Sequence, residues 1–375
     1  MSDVREVNRI EQLADYRACW RSLVDQTEGA SLFHCLDWLE VYWRHFGDGQ
    51  RLRVLLVSSE DRLTGVLPLV VRRERTRVGP VRILTYPLHD WGSFYGPIGP
   101  DPASTLTAGL DYLRSTRRDW DALELRWVDA EGCDGGVTEQ ALRAAGLSSY
   151  KTIWDRTAVV ELAGTWESYL ASRSGKWRAN LRRVERRLRD LGKLTLVHYR
   201  PLGENHADGS PRWDLYDACE QLAGRSWQGA SRTGTTLSHD SIRPFLRDAH
   251  EAAARAGAVD LHLLLLDGRP LSFAYNYHCQ GRVDGLRAGY DASAARDGAG
   301  TLLLSRAIEE SFRRGDRVYD LGVGSLACKR YLATRITPIY RYSHFPRNAL
   351  RAQLLRLKRS WQANRLDEMS PTRIS

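Results

Sequence analysis

The order of apolar patterns between residues 261 and 331 constrains the fold more than any other feature of this 375-residue chain. Residues 261–266 predict a buried strand, and residues 270–279 predict a second strand that returns through an Asp-Gly turn. A third strand at 282–290, a small-residue loop, a helix at 301–314 capped by Gly315 and a strand at 317–321 follow. This alternation of strand and helix favours an α/β (α+β) class over an all-α or all-β class.

The last of these strands runs into a glycine-containing segment that is followed by Lys329. Only five lysines occur among the 55 Lys and Arg residues of the chain. Arginine is a rigid, permanently charged fork, whereas lysine is a point donor whose pKa can shift. Loops at the carboxyl ends of strands commonly bind ligands in α/β sheets. Lys329 is therefore a candidate catalytic residue, with a solvated lysine on a helix face as the alternative.

Eight short segments between residues 30 and 345 form an ordered set of motifs: 33–38, 65–69, 174–183, 267–269, 288–291, 298–300, 319–322 and Lys329. In these motifs and their order the chain resembles the GNAT acyltransferases. Within them it is similar to a CelD-like acetyltransferase group, whose relatives include the Fem-type aminoacyltransferases of peptidoglycan synthesis.

The resemblance implies that acyl-CoA is a co-substrate held at the start of a helix. GNAT enzymes usually bind its pyrophosphate with Gln/Arg-x-x-Gly-x-Gly/Ala. Here Gly298 and Gly300 supply the glycines, but Ala295 occupies the Gln/Arg position and Arg296 comes one residue late. Free N–H groups at a helix start bind anions, so the expected contacts are Gly298, Gly300, Thr301 and Arg296. An ordinary loop before a helix is the alternative.

The family chemistry implied by the resemblance is direct attack by an amine within a ternary complex. Lys329 would stabilise the oxyanion, and Asp320 would orient it, accept the amine proton or only cap the strand end. Tyr331, expected on the helix after the strand, would protonate the leaving thiolate. Arg287 and Tyr290 would line the acceptor side.

A basic amphipathic helix is predicted between residues 173 and 193, a segment that contains nine Lys and Arg residues and only two acidic residues. Apolar residues recur at helical spacing on the other face: Leu181, Val184, Leu188 and Leu191. Such a face suits a phosphate-rich partner, namely tRNA, a nucleotide-linked sugar, a lipid headgroup or CoA, or it is simply solvated. Lys176 and Arg178 at the helix start are the candidate ligand contacts.

The N-terminal half reads as a degenerate copy of the C-terminal half, with Glu124 where the other copy has Asp320. The predicted architecture is a pair of tandem GNAT-like domains, each with a mixed central sheet flanked by helices. Residues 1–155 would form the degenerate domain and 156–346 the catalytic domain. Residues 347–375 would form a basic amphipathic tail with a disordered end.

In the aromatic loop 86–96, Asp90 is a candidate contact for an amine or sugar, with core packing of the aromatics as the alternative.

The remaining expectations concern location and partners. No apolar stretch reaches the roughly 18 residues of a spanning helix, residues 1–10 carry no apolar signal region, and six cysteines lack paired spacing. These features favour a cytoplasmic protein with reduced thiols and no metal site. The tail has leucines on one face among basic residues, so it would either rest on an anionic inner-membrane surface or dock onto the protein.

The expected function is N-acyl transfer, with acetyl as the expected group, from acyl-CoA to a small-molecule or sugar-linked amine in envelope or polysaccharide biosynthesis. Two alternatives stay open. An aminoacyl-tRNA-dependent transferase of the Fem type is favoured by the basic helix and the imperfect CoA loop. The other is a non-catalytic accessory protein of polysaccharide assembly.

Overall fold

The structure is a computed structural model that describes residues 3–89, 92, 94–231, 234–291 and 298–368, with side chains described through residue 359. The N-terminal half contains β1 (Asp3–Val7), α1 (Arg17–Asp25), α2 (Leu36–Phe46), β2 (Arg51–Ser59), β3 (Arg62–Thr76), β4 (Gly79–Thr85), α3 (Pro102–Ser115), β5 (Ala122–Val128) and α4 (Val137–Ala144). Then come β6 (Ser149–Glu161), α5 (Trp166–Ser172), α6 (Gly175–Leu191), β7 (Leu194–Tyr199), α7 (Trp213–Arg225) and α8 (Arg243–Arg255). The chain ends with β8 (Val259–Leu266), β9 (Arg269–Cys279), β10 (Arg282–Tyr290), α9 (Ala299–Arg314), β11 (Val318–Val323), α10 (Leu326–Lys329), β12 (Arg335–His344) and α11 (Leu350–Glu368).

The described strands form one mixed sheet of twelve, in the order β1-β2-β3-β4-β5-β12-β6-β11-β10-β9-β8-β7. Both halves repeat one scheme, in which a hairpin and a third antiparallel strand are followed by a crossover helix and a parallel strand. The mixed α/β class predicted from the sequence is confirmed.

The two halves are joined by an exchange of strands at the centre of the sheet. Strand β6 pairs with β11 of the second half, and β12 pairs with β5 of the first half. Strand β12 also pairs with β6, from Arg335 opposite Val159 to His344 opposite Ser149. The predicted boundary between residues 155 and 156 falls inside β6. Each half-sheet is therefore completed by a strand that follows the other half in the sequence.

Local chemistry accounts for the hairpins and for the crossover helix of the second half. Asp267 and Gly268 both have positive φ, as a two-residue hairpin turn between twisted strands requires. Helix α9 buries Leu303 and Ile308 against the sheet, and Gly315 ends it in the left-handed conformation. The helix starts two residues before the predicted Thr301.

The C-terminal helix α11 has one docked face and one open face. Ala352 and Leu355 are buried against β4 and its neighbours, whereas Leu350, Leu354 and Leu357 are exposed. Docking onto the protein is thus the observed arrangement, and contact of the open face with a membrane stays a prediction. Among the described residues, no helix is both long enough and apolar enough to span a bilayer.

Candidate active site

The parallel strands β10 and β11 stop pairing at Asp284 and Asp320, although both strands continue beyond these residues. At the point where the strands part, Gly285 and Gly322 have no side chain and so let the backbones of β10 and β11 lie very close together. A Cβ on Gly285 would lie 2.7 Å from the Asp320 carbonyl oxygen, and a Cβ on Gly322, where φ is 77°, would lie 2.3 Å from the Gly285 carbonyl oxygen. The carboxyl ends of the two strands, where α/β folds bind ligands, are therefore free of mutual pairing.

Lys329 reaches back to this end of β11 from the last residue of α10. Its Nζ donates to the carbonyl oxygens of Gly322 at 2.8 Å and Val323 at 2.7 Å. Burial lowers the pKa of Lys329 to about 8; the carboxylate of Asp320 opposes this shift and the guanidinium of Arg287 adds to it. An ammonium has three donors, so one N–H of Lys329 has no acceptor among the described residues.

Asp320 is buried and already bound on both carboxylate oxygens. Its Oδ1 accepts from the Thr157 hydroxyl and from the Gly322 N–H at 2.8 Å, and its Oδ2 accepts from Arg282 at 3.0 Å. It makes no hydrogen bond to Lys329. Of the three roles considered from the sequence, this geometry matches the capping of the strand end.

The other residues predicted around the reaction are spread over β10 and the turn after α10. Tyr331 lies in that turn and not on a helix; it is half exposed, and its hydroxyl accepts from Arg330 at 2.7 Å. Arg287 is partly buried and donates to the carbonyl oxygens of Thr235 and Leu286. These two bonds fix the guanidinium where its charge acts on Lys329.

The start of α9 is held close to both Tyr290 and α6. Gly298 is the N-cap with φ of 72°, and a Cβ there would come within 2.8 Å of the Val184 side chain on α6. A Cβ on Gly300 would lie 3.1 Å from the ring of Tyr290, which is partly exposed. Thr301 lies in the first turn. Arg296, the fourth predicted contact, lies outside the described residues.

Helix α6 has the predicted two-faced form, except that Leu191, predicted on the apolar face, is exposed. The residues buried against α9 and the sheet are Trp177, Leu181, Val184 and Leu188, and the arginines at 182, 183, 186 and 187 are exposed. Lys176 is exposed in the first turn. Arg178 is partly buried, and its Nε has no hydrogen-bond partner among the described residues. Asp90, the predicted contact of the aromatic loop, lies outside the described residues.

Three site residues were missed by the sequence analysis. Arg282 binds both Asp284 and Asp320, at 2.7 and 3.0 Å. The i, i+2 spacing of Arg282 and Asp284 on β10 is a signal that could have found this cluster. Thr157 carries no such signal, because it binds Asp320 from 163 positions away. Gln228 lies between α7 and α8, is buried, and donates to the Ala288 carbonyl oxygen at 3.2 Å. This bond connects the segment between α7 and α8 to β10.

One group of side chains among the described residues has the composition of a metal site: His198, Asp260 and His262, whose ligand atoms lie within 4.8 Å of one another. The carboxylate of Asp260 is occupied, however, because Arg200 and Asn276 donate to it at 2.9 Å each. A guanidinium at this distance repels a cation. The arrangement fits a buried ionic network.

Residues 175–330 match the sequence model of a family described as an acetyltransferase (GNAT) domain. That segment runs from the first residue of α6 to just past Lys329. It therefore contains β10, α9, β11 and most described residues of the site, with Thr157 before it and Tyr331 directly after it.

Two of the solved structures that match share the fold over more than nine-tenths of this chain. FemX is 12% identical, with 93% of this chain and 98% of that chain aligned at a TM-score of 0.61. The C-terminal domain of a putative lysylphosphatidylglycerol synthetase from Agrobacterium fabrum is 14% identical, with 91% and 94% aligned at a TM-score of 0.55. At these identities the likeness shows the fold alone. No curated protein matches the sequence, and the CelD-like grouping stays a prediction.

Proposed function

We propose that this protein transfers an acyl group from a CoA thioester to an amine. The observation that carries the proposal is the position of Lys329. Its ammonium is bound to two carbonyl oxygens at the strand end where β10 and β11 cease to pair. The match of residues 175–330 to a GNAT acetyltransferase domain supports the reaction class.

In the proposed reaction the amine nitrogen attacks the thioester carbon, and the carbonyl oxygen becomes an oxyanion. The remaining N–H of Lys329 donates to that oxyanion, in a largely buried site where such a donor is worth more than in water. With a pKa of about 8, Lys329 is mostly protonated at pH 7. The C–S bond then breaks as the carbonyl re-forms, the amine proton passes to a base or water, and the thiolate takes a proton from an acid.

The half-exposed Tyr331 is the acid we propose for the thiolate. Asp320 is not proposed as the base, because Thr157, Gly322 and Arg282 already occupy its carboxylate. The first turn of α9 would hold the CoA pyrophosphate. Its N–H groups lack partners within the helix, and the helix dipole favours an anion there.

The donor is tested by a pair of variants at Gly300. Gly300→Ala adds a Cβ against the Tyr290 ring, which can yield because it is partly exposed. Gly300→Asp adds the same Cβ plus a negative charge at the helix start. We expect acetyl-CoA binding, measured by calorimetry, to survive in Gly300→Ala and to be lost in Gly300→Asp, while both variants melt near the wild type. Equal affinity in the two variants would remove CoA from this helix.

A second donor, aminoacyl-tRNA, is favoured by one observation. The exposed arginine face belongs to α6, and Val184 of that helix lies against Gly298 at the start of α9. A long phosphate backbone can contact such a face. Thermal shifts with acetyl-CoA and with an aminoacyl-tRNA separate the two donors, because a ligand at a hundred times its Kd stabilises by about 2.7 kcal/mol. We expect acetyl-CoA to give the larger shift; stabilisation by the tRNA alone would favour the Fem-type reaction.

We propose a small or sugar-linked amine of envelope or polysaccharide biosynthesis as the acceptor. Lys176 and Arg178 at the start of α6, together with Arg287 and Tyr290 on β10, are the contacts proposed for it. The open leucine face of α11 would bring the protein to an anionic membrane surface.

A further inference from the structure

The hydrogen bonds that hold the amine of Lys329 are available to both of its protonation states. Nζ donates to the backbone carbonyl oxygens of Gly322 and Val323, at 2.8 and 2.7 Å. An ammonium has three N–H donors, whereas a neutral amine has two N–H donors and a lone pair. The same two hydrogen bonds therefore persist when the amine loses a proton. Only the third position on Nζ changes, from a donor to a lone pair.

No carboxylate is bound to this amine to keep the proton in place. Both acceptors are uncharged carbonyl oxygens, and among the described residues no carboxylate lies within ion-pair distance of Nζ. Burial lowers the pKa of Lys329 to about 8; the charges of Asp320, Asp155 and Cys328 oppose this shift and that of Arg287 adds to it. About a tenth of the amine is then neutral at pH 7, against less than about a thousandth for an ordinary lysine.

Nζ lies beside an open stretch of the chain. A Cβ on Gly324 would lie 4.0 Å from Nζ, and Gly324 and Ser325 are both exposed. Because residue 324 is glycine, it has no side chain to cover the amine, and its φ of 111° favours glycine at this position. Lys329 itself is partly exposed. The amine is therefore desolvated enough to lose its proton and still lies next to accessible backbone.

We propose that Lys329 is itself an acyl acceptor, acylated on Nζ by a thioester when the site holds no amine substrate. The inference rests on the function proposed above, which puts the thioester carbon next to this amine. The lone pair of Nζ attacks that carbon, the C–S bond breaks and the thiolate leaves, and the proton lost from the nitrogen passes to water. Desolvation is one of the ways in which a lysine becomes a nucleophile.

The product of this reaction is an amide with one N–H and no charge. It can donate to only one of the carbonyl oxygens of Gly322 and Val323, and it offers no cation to an oxyanion. Each acylated molecule has thus lost the donor on which the proposed transfer depends. Acylation of Lys329 would therefore turn the enzyme off wherever the thioester is abundant and the acceptor amine is scarce.

The test is peptide mass spectrometry of the full-length protein, incubated without an amine acceptor at pH values from about 6.5 to about 9. One sample receives acetyl-CoA. A second receives S-acetyl-N-acetylcysteamine, a small thioester without a nucleotide, which needs no CoA site. Gly300→Asp, which is expected to lose CoA binding, is treated with both thioesters. Lys151, Lys176 and Lys193 are exposed and serve as internal references.

We expect acetyl-CoA to acetylate Lys329 about tenfold or more faster than the three reference lysines at pH 7, because far more of its amine is neutral. The rate at Lys329 should level off above about pH 8, where the amine is already neutral, while the rates at the reference lysines keep rising. Gly300→Asp should lose the labelling by acetyl-CoA and keep the labelling by the small thioester.

The two thioesters let this inference and the proposed function fail separately. Labelling of Lys329 by the small thioester alone would support the reactive amine and count against CoA as the donor. The inference is overturned if neither thioester labels Lys329 faster than the reference lysines, or if its labelling rises with pH as theirs does. In that case turnover with an amine acceptor would still leave the proposed acyl transfer standing.

Discussion

Asp284 and Asp320 face each other across the parallel pair of β10 and β11 and share the single guanidinium of Arg282. Asp320 has other donors, whereas one oxygen of Asp284 has no partner among the described residues. Burial raises the pKa of Asp284; Arg282 opposes this shift and the charge of Asp320 adds to it. Asp284 and Asp320 form the last residue pair before the strands part. Their two carboxylates share one guanidinium as ion-pair partner among the described residues.

We predict that Asp284→Asn removes a pH-dependent cost of folding. The folded protein holds the Asp284 proton more tightly than the unfolded chain, whose carboxyl titrates near 3.8. The carboxyl therefore favours folding most at low pH, and this contribution falls as pH rises above 3.8 toward the folded pKa. Urea unfolding at a series of pH values from acid to neutral should show Asp284→Asn gaining stability relative to the wild type as pH rises. A difference that stays constant with pH would contradict the raised pKa.

Removal of the shared cation should have the opposite effect. Arg282→Gln leaves two buried carboxylates without their guanidinium, and loss of one partner from a buried ion pair typically costs about 3–5 kcal/mol. The same urea series at neutral pH measures this loss, and Arg62→Gln, an exposed arginine of β3, controls for a general effect of charge. A loss under about 1 kcal/mol, the size of an exposed pair, would show that the cluster is open to water.

The five lysines make the titration of Lys329 measurable directly. In protein with ¹³C-methylated lysines, one NMR resonance should titrate near pH 8, because burial lowers the pKa of Lys329 to about that value. The same resonance should be missing from Lys329→Arg. If all resonances titrate near the ordinary lysine value of 10.5, the ammonium is solvated and the proposed site is wrong.

The exposed face of α6 is tested by removing Arg182, Arg183, Arg186 and Arg187 together. All four are exposed, so the Gln variant should unfold within about 1 kcal/mol of the wild type. Its affinity for tRNA should fall, and the slope of log K against log salt should flatten by up to about 0.9 for each phosphate that the face no longer neutralises. A variant with Arg9, Arg21, Arg44 and Arg62 changed to Gln carries the same charge change elsewhere. Equal slopes in the two variants would mean that the α6 face is merely solvated.

Local patterns were enough to predict the part of the fold from β8 to β11. The Asp-Gly turn at 267–268, the apolar stripe of α9 and its Gly315 cap each follow from neighbouring residues, and each is observed. The exchange of β6 and β12 was missed, because pairing between residues that lie so far apart in the sequence, such as Arg335 and Val159, leaves no local trace.

The candidate site likewise contains some residues that local patterns identified and others that they did not. Lys329 and the glycines at the start of α9 stood out by composition and spacing. Two of the three donors to Asp320 are Thr157 and Arg282, which are 163 and 38 positions away. Four arginines near Trp154 and Glu124 come from four different elements, β3, β5, β12 and α11: Arg72, Arg126, Arg341 and Arg359. Only the folded sheet brings such residues together.

The central claim, that Lys329 acts on the reacting carbonyl, is tested most directly by steady-state kinetics of Lys329→Met with acetyl-CoA and an amine acceptor. The substitution nearly keeps the length of the side chain and removes the charge. The proposal predicts a loss of about 10²–10³ in kcat, the usual effect of one lost oxyanion donor, with little change in the KM for acetyl-CoA. Lys329→Arg should also be poor, because a planar fork cannot replace a point donor between two carbonyl oxygens. A folded Lys329→Met enzyme with near-normal turnover would contradict the account.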